Sequence, residues 1–279
     1  MKINRSLLTE FVARYPVQPA TALLRAIEID VLAKSSVPEG LGLDLGCGDG
    51  ILTDILFKQM KRTPRLVGVD PDPLETEAAR KYAFYEQIHT CGGDSIPVNA
   101  DTFDYVISNS VLEHIPDLEP VIAEVSRVLK PGGTFFFTVP VPQFRENMVG
   151  SWLPGASREK YLRDLDKRLV HLNYLSDDDW RAIAARHGLT VTHVTGYIGR
   201  KTTRRWETLS KLTGGLMYKL SLGRLRPIEI QRRLNLRHFQ NSTSLPGWLA
   251  SAVGHLLSLG LAGEDRVDNP GCLLVAGMK

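Results

Sequence analysis

The hydrophobic pattern predicts two strands with a helix between them near residues 40 to 70. Leu41–Leu45 is a short apolar run with the length of a buried strand, and residues 51–56 begin an apolar pattern with helical spacing. A second apolar run, residues 66–70, ends in an acid twenty residues after Gly50. A strand, a helix and a second strand ending in an acid are the elements of a nucleotide-binding βαβ unit.

Three glycines occupy every second position in the turn between the first strand and the helix: Gly46, Gly48 and Gly50. Glycine has no Cβ, so it permits a tight turn and lets a ligand lie against the backbone. The turn departs from the dinucleotide fingerprint, because Ile51 stands where that fingerprint has its third glycine. Asp44 disfavours a pyrophosphate by like-charge repulsion and suits a cationic ligand, such as a nucleoside with a sulfonium and an α-amino group. The alternative is a plain glycine turn beside a solvated aspartate.

Three further motifs follow the glycine turn and Asp70 in order. They are Gly93-Asp94-Ser95-Ile96-Pro97 behind a short strand at residues 88–91, a strand and its mouth at residues 103–115, and Lys130-Pro131-Gly132-Gly133-Thr134 with the strand after it. Over residues 40–140 the five motifs resemble those of the class I S-adenosylmethionine-dependent methyltransferases. The resemblance implies an α/β fold with a doubly wound, mostly parallel seven-strand Rossmann-like sheet, an N-terminal helical cap and a helical insertion before the last strand.

The resemblance also implies S-adenosylmethionine as the cofactor and assigns residues to it. The glycine turn lies along the methionine moiety, and Asp70 binds the ribose. The next motif lies by the adenine, and the end of the fourth strand lies under the cofactor. The implied cofactor-binding residues are Asp44, Gly46, Cys47, Gly48, Gly50, Asp70, Pro71, Asp94, Ser95, Asn109 and Ser110.

The predicted domains are a helical cap, a cofactor domain and an inserted lid. Residues 1–40 form the cap, residues 41–199 and 263–279 the S-adenosylmethionine-binding domain, and residues 200–262 a basic helical insertion or lid. The cap has two apolar-faced helices broken at residues 15–19. Within it, Arg25 and Glu28 either face an acceptor pocket or form a surface ion pair.

The insertion differs in charge from the rest of the chain. Residues 200–240 contain eleven basic residues and two acids, whereas the whole chain has a net charge of +3. Residues 245–262 carry no formal charge. Three interpretations stay open: a solvated helical lid, a peripheral membrane contact through residues 200–262, and a lid over an anionic soluble acceptor. Nucleic acid is disfavoured, because aromatic residues are sparse and no nucleic-acid-binding motif is present.

Catalysis depends mainly on the cofactor, because a sulfonium methyl is already activated. The protein then has to hold the acceptor in line with that methyl group and exclude water. A hydroxyl acceptor also needs a base within hydrogen-bond reach. The candidates are His114, just beyond the fourth strand, and His171 and Tyr174 on the acceptor-side loop. A packing or hydrogen-bonding role is the alternative for each.

We therefore expect methyl transfer from S-adenosylmethionine to a small-molecule or lipid-linked acceptor, at an oxygen of a sugar or natural product. Methylation of a nitrogen or carbon, and a non-catalytic methyltransferase-like partner subunit, are the alternatives. An NAD-dependent oxidoreductase is disfavoured by Asp44 and by the missing glycine. The oligomeric state is not indicated by the sequence.

Composition favours a cytoplasmic enzyme. Three scattered cysteines, Cys47, Cys91 and Cys272, indicate free thiols in a reducing compartment. None of them stands at metal-ligand spacing with another Cys or His, so no metal site is expected. The N-terminus lacks a secretory pattern and no apolar run has the length of a membrane span. A peripheral position at the inner leaflet is compatible with the basic insertion.

Overall fold

The computed structural model describes residues 3–15, 18–220, 245–261, 267 and 269–279. Seven strands are β1 Leu41–Leu45, β2 Arg65–Asp70, β3 Tyr85–Thr90, β4 Phe103–Asn109, β5 Leu129–Pro140, β6 Thr190–Tyr197 and β7 Cys272–Met278. The helices are α1 Arg5–Arg14, α2 Pro19–Leu32, α3 Ile51–Gln59, α4 Pro73–Ala79, α5 Glu119–Val128, α6 Pro142–Glu146, α7 Arg158–Leu169, α8 Asp177–Arg186, α9 Arg200–Leu212, α10 Gly214–Leu220 and α11 Gly247–Ser258, with a 3₁₀ turn at Leu112–His114.

The strands form one sheet in the order β3-β2-β1-β4-β5-β7-β6. β1 pairs in parallel with both β2 and β4, so that Leu43 stands between Val67 and Val106. β7 is antiparallel to β5. The predicted seven-strand, mostly parallel sheet is confirmed. Because β1, β2 and β4 are adjacent and parallel, their carboxyl ends meet at one edge of the sheet, where open α/β sheets place their ligands.

The core of the sheet follows directly from the apolar runs. Strand residues such as Leu43, Val106 and Phe135 are buried on the sheet, and α5 covers them with an apolar face that includes Val125. A sheet covered by helices on its faces needs near-continuous apolar strands, which is what the sequence shows.

By their contacts, the described residues form two units. The sheet unit comprises residues 31–142, 172–196 and 272–279, and the helical unit comprises the described parts of residues 1–30, 143–171 and 197–271. This division differs from the predicted domains, because residues 143–171 belong to the helical unit. The reason is local packing: Glu207 of α9 accepts hydrogen bonds from the backbone of Val149 and Gly150, both at 2.9 Å.

The cap and the insertion are helical where the structure describes them. α1 packs against α11 in the helical unit, with Gly254 against Thr9. Residues 221–244 and 262 of the predicted insertion, which include Arg232 and Arg233, lie outside the described residues. Within the described part of the chain, no helix has both the length and the apolar character needed to cross a bilayer.

The interpretation of Arg25 and Glu28 as a surface ion pair is wrong. They do form an ion pair, with Arg25 Nη1 2.5 Å from Glu28 Oε2, but the Glu28 side chain is fully buried. The Tyr197 hydroxyl also lies 3.5 Å from Glu28 Oε1. Periodicity placed the pair on one helix, but only packing against residues distant in sequence, such as Tyr197, decides that Glu28 is buried inside the helical unit.

Candidate cofactor and acceptor site

The glycine turn leaves β1 with its backbone fixed to β2. The amides of Gly46 and Cys47 both donate to the carbonyl of Val69, at 2.8 and 3.0 Å. Gly46, Gly48 and Gly50 all have positive φ, between 52° and 78°. Only glycine adopts such angles without strain, so the alternating glycines are required by the backbone.

The space around the three glycines differs. A Cβ on Gly46 would lie 2.4 Å from Val111, and one on Gly50 would lie 2.6 Å from Tyr82. A Cβ on Gly48 would meet nothing closer than Glu75 Oε2 at 3.9 Å. Gly46 and Gly50 are therefore needed for packing, whereas Gly48 borders open space that a ligand can occupy.

Asp70 lies beside this open space, at the end of β2. Its carboxylate accepts hydrogen bonds from the amides of Gly48, at 3.0 Å, and Asp72, at 2.9 Å. Each oxygen thus holds one backbone amide and keeps a second acceptor position. The side chain is partly exposed, and burial raises its pKa. This geometry suits the two hydroxyls of a ribose. The neighbouring Pro71 is exposed.

Asp44 is placed differently from Asp70, because its side chain is almost fully buried at 3% exposure. Thr53 and Tyr85 both donate to its Oδ2, each at 2.5 Å. Burial raises the pKa of Asp44 to about 6, although the two hydrogen bonds lower it. Thr53 and Tyr85 were not predicted as site residues, since neither belongs to a recognisable motif.

Cys47 also turns inward. Its thiol is buried, lies 3.7 Å from the carbonyl oxygen of Gly48, and has a pKa raised by burial and by Asp44. A thiol in this state packs and does not react. Any contact of Cys47 with a cofactor would therefore be made by its backbone.

The loop after β3 is held by an ion pair that the sequence reading missed. Glu124 of α5 accepts the amide of Ile96 at 2.7 Å, and Arg127 donates to the carbonyls of Ile96 and Val98. The pair stabilises the loop and leaves Asp94 and Ser95 exposed in front of it. The spacing of Glu124 and Arg127 on one helix was the available signal.

The end of β4 carries a strained residue. Ser110 has a φ of 50°, and its amide donates to the carbonyl and hydroxyl of Thr138 on β5, both at 3.0 Å. Asn109 is buried and accepts a 3.4 Å hydrogen bond from the Thr138 hydroxyl. A non-glycine residue in this region costs about 1–3 kcal/mol and is concentrated at functional sites.

His114 follows on the 3₁₀ turn beyond β4. Its side chain is 37% exposed, and Nε2 lies 4.0 Å from Oε1 of the buried Glu113. Two backbone hydrogen bonds stabilise the turn, since the amides of Leu172 and Asn173 donate to the Glu113 carbonyl. Tyr174 comes next in this segment, which has no regular secondary structure, and its side chain is partly buried. Glu113 was not predicted as a site residue, although its place before His114 was visible.

His171 belongs to the helical unit. It follows α7, its amide donates to the carbonyl of Asp166, and its ring centre lies 6.4 Å from that of Phe144. The ring is partly buried. This position is compatible with packing against Phe144 as well as with a chemical role.

Acidic residues surround the glycine turn, and their charges bear on which cofactor fits there. Besides burial, the charge of Asp70 raises the pKa of Asp44, and the charges of Asp72 and Asp49 raise the pKa of Asp70. Such a negative site repels a pyrophosphate and attracts a sulfonium or an ammonium group. Together with the open face of Gly48 and the free acceptor positions of Asp70, it fits S-adenosylmethionine.

Comparison with known proteins agrees with this geometry. The chain is 27% identical over 175 residues to the mitochondrial ubiquinone biosynthesis O-methyltransferase of Rattus norvegicus, which is 59% of this chain and 48% of that protein. It is 32% identical over 110 residues to the ubiquinone biosynthesis O-methyltransferase of Hahella chejuensis, which is 38% of this chain and 45% of that protein. The chain thus spans about half the length of these curated relatives.

A solved structure supports the fold independently. An S-adenosylmethionine-dependent methyltransferase from Mesorhizobium loti superposes with a TM-score of 0.51 at 17% identity, over 89% of this chain and 95% of that one. The model of the methyltransferase-domain family matches residues 20–194, well over half of the chain. The protein belongs to this family, as a class I methyltransferase that uses S-adenosylmethionine as its methyl donor.

Proposed function

We propose that the protein transfers the methyl group of S-adenosylmethionine to a hydroxyl oxygen of a small molecule. The observation that carries the proposal is the likeness to ubiquinone biosynthesis O-methyltransferases over 175 residues. The match to the methyltransferase-domain family, over residues 20–194, includes the whole glycine turn and Asp70. When bound, the cofactor supplies an activated methyl group. The chain's own residues have to bind the nucleoside, orient the acceptor and take its proton.

His114 is the residue we propose as the base. Its imidazole is partly exposed just beyond the carboxyl end of β4, a few residues after Asn109 and Ser110 in the chain. The buried Glu113 carboxylate, 4.0 Å away, stabilises the imidazolium that forms when His114 takes the hydroxyl proton. His171 and Tyr174 are proposed as acceptor-side residues that hold the hydroxyl.

The acceptor class is the finer part of the proposal: a sugar or natural-product hydroxyl, free or carried by a lipid. The lipid-linked form is favoured by α11, which exposes Trp248, Leu256 and the adjoining Leu259 at 75%, 61% and 46%. Exposed apolar side chains grouped on one helix suit contact with a lipid tail or a membrane surface.

The test is turnover of single variants on a panel of phenols, sugars and prenylated phenols with a labelled methyl donor. His114→Ala should lower kcat about 10²–10⁴-fold with unchanged cofactor affinity, and His171→Ala should mainly raise KM. His193→Ala is the matched control, because His193 is exposed on β6 and bonds only locally to Thr195. Normal turnover of His114→Ala would remove it as base.

The same panel separates the alternatives. A preference for prenylated over plain phenols that Trp248→Ser and Leu256→Ser abolish supports the lipid-linked acceptor. Methyl transfer to nitrogen or carbon would replace the oxygen proposal. Cofactor binding without turnover of any acceptor would favour the non-catalytic partner subunit.

A further inference from the structure

A cavity lies entirely within the helical unit. Its volume is about 800 Å³, and it is bounded by α7, α9, α10 and residues 151–157. This size is in the range of cavities that hold small organic ligands. Four cationic side chains line it, whereas Asp164 is the only carboxylate among its described lining residues; the cations are Lys160, Lys167, Arg168 and Lys211.

Arg168 is the most informative of these residues, because it is buried at 9% exposure. Its guanidinium donates to the Ser210 hydroxyl at 2.9 Å and to the Ser210 carbonyl at 3.2 Å. Among the described residues, no carboxylate pairs with it. A buried cation without a counter-ion is destabilising. A ligand carboxylate or phosphate would supply the missing charge in the forked geometry that arginine binds best.

Arg168 and Lys211 differ in their surroundings. Gly215 faces the guanidinium, and a Cβ there would lie 3.2 Å from Nη1. Lys211, by contrast, is already neutralised by Glu207 at 3.1 Å and is held over the rings of Trp152 and Tyr161. Lys211 therefore lines the cavity without adding net charge, and the uncompensated buried charge is that of Arg168 on α7.

The exposed lysines of α7 complete the positive face. Lys160, Lys167 and Arg168 recur at helical spacing, so they lie on one side of α7. Apolar atoms of Leu153, Leu165 and two tyrosines line the rest of the cavity. The combination matches a molecule with an anionic group at one end and an apolar body.

We propose that this cavity binds the phosphate or carboxylate group of an amphipathic molecule. Arg168 holds the anion at the inner end, Lys160 and Lys167 hold it at the rim, and the apolar lining covers the adjoining hydrocarbon. The site is separate from the glycine turn, and the proposal stands whether or not the chain methylates a hydroxyl.

The test is calorimetric titration of the full chain, without methyl donor, with octyl phosphate and with octyl glucoside, which has the same tail and no charge. Octyl phosphate should bind and octyl glucoside should not. The double variant Lys160→Gln/Lys167→Gln should weaken octyl phosphate roughly tenfold or more, since charge-assisted contacts are lost. Arg163→Gln is the control, because Arg163 is exposed on the same helix and does not line the cavity.

Co-sedimentation with vesicles of phosphatidylcholine and phosphatidic acid distinguishes a lipid headgroup from a free ligand. Vesicle binding that the double variant loses, without binding of free octyl phosphate, supports the site with a lipid as its source. Both lysines are exposed, so the double variant should fold normally. Absence of binding in both assays, or an equal loss in Arg163→Gln, overturns the proposal.

Discussion

The Tyr85 hydroxyl donates a 2.5 Å hydrogen bond to the carboxylate of Asp44. Forty-one residues separate the two in sequence, yet β3 and β1 bring them together beneath the glycine turn. The same carboxylate oxygen also accepts from Thr53 of α3. Asp44 therefore connects three elements under the cofactor site, and its charge has consequences for stability as well as for binding.

We predict that Asp44→Asn changes how the free energy of unfolding of the ligand-free protein depends on pH. Relative to the native chain, the variant should be more stable at neutral pH than at acid pH. Burial raises the pKa of Asp44 from 3.8 to about 6, so the folded state binds its proton more tightly than the unfolded state. Proton binding by Asp44 therefore stabilises the folded state below pH 4, by an amount on the order of 3 kcal/mol. This stabilisation is lost as the pH rises through about 6. Asparagine removes this dependence.

The measurement is urea unfolding of both proteins at pH 4.5 and pH 7.5. From pH 4.5 to pH 7.5, the free energy of unfolding of the variant should rise by about 2 kcal/mol relative to that of the native chain. The variant should also lose affinity for S-adenosylmethionine. Asp117→Asn, at an exposed position, should show little such change. A pH-independent difference for Asp44→Asn would contradict the account of its burial.

Gly46→Ala and Gly48→Ala should fail in different ways. Both place alanine at positive φ, which costs about 1–2 kcal/mol. Gly46→Ala adds a 2.4 Å clash with Val111 and should lower the free energy of unfolding further. Gly48→Ala meets open space and should mainly lose affinity for S-adenosylhomocysteine. Urea unfolding and calorimetry separate the two effects, and undiminished binding by Gly48→Ala would place the ligand elsewhere.

Asp70→Ala should weaken S-adenosylmethionine by about 1.5–3 kcal/mol, because it removes charged hydrogen bonds to the ribose. Burial raises the pKa of Asp70, so affinity for the native chain should also fall when the pH is lowered through that pKa and the carboxyl becomes protonated. Asp70→Asn should remove the part of this pH dependence that comes from Asp70 and leave the part that comes from Asp44. Calorimetric titration across pH 4 to 8 tests both points, and tight binding of NAD would refute the cofactor assignment.

Arg25→Gln should destabilise the helical unit by about 3 kcal/mol, since it leaves the fully buried Glu28 carboxylate without its cation. The matched control is Arg65→Gln, which breaks an exposed pair with Glu86 and should change the free energy of unfolding much less. Both are measured by urea unfolding. Similar small losses for the two variants would mean that Glu28 finds another partner.

Local sequence determined most of the cofactor half. The glycines, the apolar runs and the acid at the end of β2 are near one another in the chain, and the parallel βαβ order brings Gly48 and Asp70 within 3.0 Å. That contact was predictable because backbone angles and strand order depend on short-range patterns. The end of β4 near Ser110 was predicted from an apolar run in the same way, whereas the role of Ser110 came only from the family resemblance.

Only the tertiary structure decided which polar side chains are buried and what they contact. Asp44 was read as facing a ligand, but Tyr85 and Thr53 enclose its carboxylate from elements that the local pattern does not connect. Likewise, Arg168 and Ser210 meet across 42 residues, and Glu28 and Tyr197 across 169. Hydrophobic periodicity shows which face of a helix is buried, but not what it is buried against, because that depends on contacts between segments distant in sequence.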